Sequence, residues 1–201
     1  MTRIIAGSER GRRLQVPAGD VTRPTSDRAR EGLFSSLQSL LDLDGARVLD
    51  LYAGSGALGL EALSRGAASA TLVEAHPAAV RVCEANAATV GLPGAHVVHS
   101  PVEPFLAHPP STSRTEPRYD LALLDPPYEL DVAPVLAALV PWLAEDAVVA
   151  VERPRRGPEL AWPGGLLGVR ERKYGEAMLW YAVLAGGSSD GSSSGTSGGP
   201  Q

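Results

Sequence analysis

Five short apolar runs recur between residues 46 and 153: ARVLDLY, SATLVEA, AHVVHS, YDLALLD and DAVVAVER. Stretches of helical character separate them, LGLEALSRG, PAAVRVCEANAATVG, VEPFLAH and VAPVLAALVPWLA. This alternation constrains the fold more than any other feature. Val- and Leu-rich strands with no polar face must be covered on both sides, and a helix between successive strands makes them parallel. The ending GLLGVRERKYGEAMLWYAVL breaks the rhythm, with two strand-like runs joined at Tyr174-Gly175-Glu176. It predicts an antiparallel hairpin that completes a seven-stranded, mostly parallel α/β sheet. Upstream, RIIAGSERGRRLQV predicts a second hairpin around a glycine-containing turn. DRAREGLFSSLQSLL predicts a helix, capped by Thr25 or Ser26, with Leu33, Phe34, Leu37, Leu40 and Leu41 on one face.

The expected organisation has three parts. A basic hairpin and helix over residues 1–44 packs on a main domain over residues 45–185, and a Gly/Ser tail over residues 186–201 is disordered. The tail has too little apolar surface to offset the entropy of ordering it. HPPSTSRTEPR, residues 108–118, reads as a polar surface loop. No apolar run approaches the roughly 20 residues that span a bilayer. The N-terminus lacks the apolar segment of a secretion signal. Cys83 is the only cysteine, so an internal disulfide is excluded and the cytoplasm is the expected compartment. Its helical setting marks it as a buried thiol rather than a nucleophile. His76, His96, His99 and His108 share no metal-ligand spacing with it, so no metal is expected.

Charge is unevenly spread. Residues 1–31 hold seven arginines against four acids, so with a chain total of −5 the remainder carries −8. A basic arm on an acidic body fits either a local anionic partner or a solvated arginine-rich face.

Between the first parallel strand and its helix lies Gly54-Ser55-Gly56-Ala57-Leu58-Gly59, a G-x-G-x-x-G pattern, with Glu74 at the end of the next strand. Glycines there let a nucleotide cofactor approach the backbone, and a carboxylate at the second strand end can accept from both ribose hydroxyls. Taken alone this suits a nicotinamide dehydrogenase. Asp50, four residues before Gly54, favours a cationic ligand such as the ammonium of S-adenosyl-L-methionine, because it would repel a pyrophosphate at the helix N-terminus.

Asp125-Pro126-Pro127-Tyr128 follows the fourth parallel strand, at the edge where open α/β sheets bind ligands. An exocyclic amine on a base is a poor nucleophile, since its lone pair is delocalised into the ring. Acceptors such as Asp125 and the Pro126 carbonyl can hold its N–H groups and turn the lone pair toward a methyl donor. The two prolines stiffen the loop, and Tyr128 offers a flat face for an extruded base.

DLYAGSG, LVEA and DPPY together resemble the class I S-adenosylmethionine-dependent methyltransferases that act on exocyclic amines. RIIAGSERGRRLQVP followed by RPTSDRAREGLFSSL resembles, more narrowly, the bacterial small-subunit (16S) ribosomal RNA guanine-N2 methyltransferase family, and the resemblance covers about residues 3–184. It implies a Rossmann-like methyltransferase sheet and S-adenosyl-L-methionine as cofactor. It implies that Asp50, Gly54, Ser55 and Gly56 hold the methionine and ribose parts, and that Glu74 binds the ribose hydroxyls. Asp125 to Tyr128 hold the guanine, and Arg10, Arg12, Arg13, Arg23, Arg28 and Arg30 meet RNA phosphates. One departure stands out. Pro101 occupies the position of a family acid that accepts from the adenine amino group, leaving the backbone N–H of Val102 as the contact to that ring. The expected partner is ribosomal RNA, within an assembling small ribosomal subunit, for a monomer that meets no membrane. Adenine-N6 or protein-glutamine methylation, and a non-catalytic RNA-binding assembly factor, are the alternatives that DPPY and the glycine loop leave open.

Overall fold

The computed structural model describes residues 2–17, 27–109 and 118–186. Arg23, the Thr25 or Ser26 cap, most of the 108–118 loop and the tail beyond Gly186 lie outside them. The chain opens with a small antiparallel hairpin of β1 (Thr2–Arg3) and β2 (Arg13–Leu14), then α1 (Asp27–Leu37). The alternating part follows as β3 (Arg47–Leu51), α2 (Ala57–Ser64), β4 (Ser69–Glu74), α3 (Pro77–Val90), β5 (Ala95–His99), α4 (Val102–Leu106), β6 (Tyr119–Leu124), α5 (Ala133–Leu139) and β7 (Leu143–Pro154). The strands β8 (Leu166–Tyr174) and β9 (Ala177–Leu184) close the sheet.

The seven strands lie in the order β5-β4-β3-β6-β7-β9-β8, with β3 to β7 parallel and β8 and β9 antiparallel. This is the Rossmann-like arrangement. The order reverses between β3 and β6, so a crevice opens where their carboxyl ends diverge. Two apolar layers sandwich the sheet. One packs Val48, Leu121, Val148 and Tyr181 under α1, α2, α3 and the N-terminal hairpin. The other packs Leu49, Ala122, Val149 and Ala182 under α4 and α5. The period-2 alternation of each strand divides its side chains between them.

Two helices are shorter than their apolar patterns. The first ends at Leu37, not Leu41, because a serine run competes for the backbone: the Ser39 hydroxyl donates to the Ser36 carbonyl at 2.8 Å. The last ends at Leu139 and tightens into a 3₁₀ turn over Val140–Trp142, since Pro141 has no N–H to give. Leu143 then already belongs to β7. That strand shifts register against β6 between Tyr119 and Leu121, where Asp146 takes φ +59°.

The hairpin is held by α2. Glu61, with no exposed surface, accepts from the N–H of Ile5 at 2.6 Å, the N–H of Ala6 at 3.0 Å and Arg65 Nε at 2.7 Å. Ser64 accepts the Ser8 N–H at its carbonyl, 2.8 Å, and donates its hydroxyl to the Ala6 carbonyl, 2.6 Å.

Candidate active site at the strand ends

Asp50, Glu74 and Asp125 stand at the carboxyl ends of three adjacent strands, β3, β4 and β6. Asp50 is 1% exposed and accepts the Gly59 N–H through Oδ2 at 2.9 Å. Burial raises its pKa to about 7, and the charges of Asp125 and Glu74 push the same way, against the Gly59 hydrogen bond. A carboxyl so placed gains most from a cation brought beside it.

Glu74 ties the glycine loop to its strand. Oε2 accepts the Gly54 N–H at 2.8 Å and Oε1 the His76 N–H at 2.7 Å. Each oxygen keeps lone-pair capacity for a hydroxyl donor. Gly54 has φ +55°, and a Cβ built there would meet nothing closer than the Tyr52 carbonyl at 4.0 Å. The glycine therefore leaves open space over the loop, where a ligand can approach the backbone. Cys83 is wholly buried beneath Gly56, and burial pushes its thiol up to about 12, which suits an inert packing role. Val102 is the first residue of α4, with a buried side chain; its N–H is one of the helix's unpaired first amides.

In the DPPY loop Asp125 is half-buried, Pro126 buried and Pro127 exposed, while Tyr128 keeps 45% of its surface exposed. Sequence reasoning missed what fixes this loop. Arg153, at the end of β7, donates Nη1 to the Pro127 carbonyl at 3.1 Å and Nη2 to the carbonyls of Tyr128 at 2.8 Å and Leu130 at 3.0 Å. The Pro126 carbonyl is not among its partners.

Two further residues were missed. Asn86, 1% exposed on α3, donates to the carbonyls of Ser55 at 2.8 Å and Gln15 at 2.9 Å, and accepts the Gln15 N–H at 2.8 Å. It joins the glycine loop to the strand leaving the hairpin. Its signal was a lone amide on the buried stripe of Ala79, Val80, Cys83 and Val90. Tyr52 carries a positive φ, 62°, rare for a non-glycine residue. Its buried hydroxyl has no partner at hydrogen-bonding geometry. Burial first, and then the nearby Glu103 carboxylate, raises its pKa. No sequence signal marks it.

The structure divides the arginines of the arm. Arg13 and Arg28 are exposed. Arg10 and Arg12 are exposed too, but they flank the turn that rests on Ser64, at the end of α2 away from the glycine loop, and Arg12 pairs with Glu9 at 2.7 Å. Arg30 corrects the expectation of a phosphate contact. It is 1% exposed and donates Nη2 to Thr2 Oγ1 and the Arg3 carbonyl, both at 2.8 Å, and to Asp27 at 2.9 Å. Desolvation lowers its pKa, opposed by Glu61 and Asp27. It fastens the hairpin to α1 and offers nothing to solvent. Among the described residues no helix is long and apolar enough to cross a membrane, and no group of His, Cys, Asp or Glu is arranged to hold a metal.

Comparison with known proteins agrees with this arrangement. The family described as conserved hypothetical protein 95 matches residues 2–183. The chain is 42% identical over 153 residues to the ribosomal RNA small subunit methyltransferase D of Escherichia coli K12, covering 75% of this chain and 73% of that protein. It is 35% identical over 161 residues to the protein of the same name from Haemophilus influenzae, covering 78% and 80%. The solved structure of Escherichia coli yhhF superposes with a TM-score of 0.77 at 36% identity, covering 92% of this chain and 98% of that one. The chain therefore belongs to the conserved hypothetical protein 95 family, together with these small-subunit ribosomal RNA methyltransferases D.

Proposed function

We propose that the chain methylates small-subunit (16S) ribosomal RNA in the cytoplasm, transferring a methyl group from S-adenosyl-L-methionine to the exocyclic N2 of a guanine. One observation carries the reading most: three carboxylates at neighbouring strand ends surround a glycine loop with open space above it, and a proline-stiffened loop held by Arg153 stands beside them. The names of the relatives support RNA over DNA or protein as substrate.

The residues present fit the cofactor. The raised pKa of Asp50 suits the ammonium, the free lone pairs of Glu74 suit the ribose hydroxyls, and the space beside Gly54 lets a ligand approach the loop that runs on through Ser55 and Gly56. The Val102 N–H faces no helical acceptor and suits a ring nitrogen of adenine, Pro101 having no donor or acceptor side chain. When bound, S-adenosyl-L-methionine supplies an electrophilic methyl on a sulfonium leaving group. The chain's own part is positioning. Asp125 and the Pro126 carbonyl accept from the guanine amino group and turn its lone pair toward the donor. Tyr128 stacks on the base after it leaves its helix. No strong base is required, because the methylated amine carries excess acidity until its extra proton leaves. Positioning and fixed dipoles supply the acceleration.

The test is single-turnover methylation of 16S ribosomal RNA, with N2-methylguanosine mapped in the product. Asp125→Ala should slow methyl transfer by about 10²–10³ while leaving RNA and cofactor affinity near wild type. Tyr128→Phe should be nearly silent and Tyr128→Ala severe. Methyl transfer at the wild-type rate by Asp125→Ala would remove DPPY from the chemistry. RNA binding with no methyl transfer by the wild type would favour the assembly-factor reading.

A further inference from the structure

We propose that Arg155 and Arg156, just past the end of β7, grip RNA phosphates beside the Asp125–Tyr128 loop. The inference rests on the reading of the substrate as RNA and says where that RNA runs. Strands β6 and β7 are parallel neighbours with Leu124 opposite Val151. Residues 153–156 therefore emerge at the edge of the sheet that carries Asp125, and the three hydrogen bonds from Arg153 to the carbonyls of 127, 128 and 130 fix that proximity.

The segment is held in place without using its outward side chains. The Arg155 N–H donates to the Glu176 carbonyl at 2.8 Å, and the Gly157 N–H to the Pro154 carbonyl at 3.1 Å. Both bonds come from the backbone. The side chains of Arg155 and Arg156 are exposed, and among the described residues neither has an ion-pair or hydrogen-bond partner. Several arginines elsewhere in the chain are already engaged. Arg3, Arg12, Arg30 and Arg65 pair with Asp27, Glu9, Asp27 and Glu61. Lys173 adds a further exposed cation: it and Arg153 both lie opposite Met178, so it sits two strands away at the same height, about 10 Å across the sheet. The acids Glu171 and Glu176 share this edge and offset part of its charge.

Location separates this patch from the arm. Arg10 and Arg12 stand at the far end of α2, about 12 Å of helix from the glycine loop. Arg155 is two residues from the guanidinium that shapes the catalytic loop. A nucleotide stacked on Tyr128 thus brings its own backbone to Arg155 and Arg156 before it reaches the arm. Unpaired guanidinium groups suit phosphate oxygens, with no sequence preference.

The test measures the dissociation constant of full-length protein for a guanine-containing single-stranded RNA oligomer and for 16S ribosomal RNA, as a function of salt. Binding of S-adenosylhomocysteine serves as a control for folding. Removing two phosphate contacts should cut the slope of log K against log salt by about 1.4 and weaken binding about 20-fold at 0.1 M salt. Arg155→Ala/Arg156→Ala should show this loss with cofactor affinity unchanged, and Arg155→Lys/Arg156→Lys should recover most of the slope. A wild-type slope in the double alanine variant overturns the proposal while leaving an RNA substrate intact. A wild-type protein that binds neither RNA overturns the RNA substrate along with it.

Discussion

Replacing Asp50 by asparagine separates the electrostatics of this site from its shape. Asparagine keeps an oxygen to accept the Gly59 N–H and removes the charge. The folded carboxyl titrates near 7 against an ordinary value of 3.8, a gap of about three units. The sign follows from linkage. Below pH 4 the carboxyl is protonated in both states, and the folded chain keeps all the stability this group allows. Between 4 and 7 the unfolded chain ionises first, so stability falls by about 1.4 kcal/mol per pH unit. Above 7 both states are ionised and the slope ends. The accumulated cost is on the order of 4 kcal/mol. Against it stands a buried amide N–H₂ with a poor partner, a cost of about 1–3 kcal/mol.

Asp50→Asn should therefore be more stable than wild type at pH 8, by on the order of 1–3 kcal/mol, and no more stable at pH 5. Its affinity for S-adenosylhomocysteine, which carries the same ammonium, should fall. Wild-type affinity should rise with pH up to about 7 and then level, because the cation binds the ionised form. Urea denaturation at both pH values and calorimetric titration would measure these. A stability difference between variant and wild type that does not change from pH 5 to 8 refutes the claim that burial holds the Asp50 proton. Cofactor affinity with no pH dependence in the wild type refutes its pairing with the ammonium.

Arg153→Ala removes three hydrogen bonds to carbonyls of a largely exposed loop. Global stability should fall by only about 1 kcal/mol, while single-turnover methylation slows about 10- to 100-fold from lost positioning; an unchanged rate would mean that the prolines alone fix the loop. Gly7→Ala places a Cβ 1.7 Å from the Ser64 carbonyl oxygen at φ +84°. The hairpin should lift from α2 at a cost of about 2–4 kcal/mol, seen as faster hydrogen exchange at the Ile5, Ala6 and Ser8 amides, and wild-type exchange there would show that the docking tolerates a side chain.

The legible parts of this molecule were those encoded over short distances. Strand runs, the glycine loop and DPPY each lie within about ten residues, and their meeting at one sheet edge follows from parallel topology. What the sequence hid depends on contacts between distant residues. Counting arginines treats Arg30 like Arg28, yet Arg30 is buried because Thr2 and the Arg3 carbonyl, 27–28 residues away, receive its guanidinium. Likewise, counting charge along the chain hid the second basic patch. Residues 153–176 hold six cations against three acids, but only the β7, β8 and β9 pairings bring Arg155, Arg156 and Lys173 to one edge. Glu61 did carry a signal, as an acid on a helix whose other positions are small or apolar. A charge there has to find partners, and the hairpin amides supply them.

The hairpin and the strand-end site share one strut. Seven of the eight residues of α2 are buried, so the helix has no solvent face of its own and needs cover on the side away from the sheet. The hairpin is that cover, and Ile4 and Leu14 join the same apolar layer. Glu61 makes the attachment more than apolar. A wholly buried carboxylate is tolerable only while its donors stay in place. Two of these are hairpin amides, and the third is Arg65, which also lies 4.7 Å over the ring of Phe34 on α1. At the other end of α2, Gly56 opens onto the glycine loop, and Asn86 binds Ser55 of that loop to Gln15 at the exit of the hairpin. The arm is thus part of the fold that shapes the strand-end site, anchored at both ends of one short helix. Gly7, Arg30 and Glu61 each dock the arm to the rest of the fold, apart from any contact with a substrate. Losing the arm would strand a buried charge and strip one wall from the helix that carries the glycine loop.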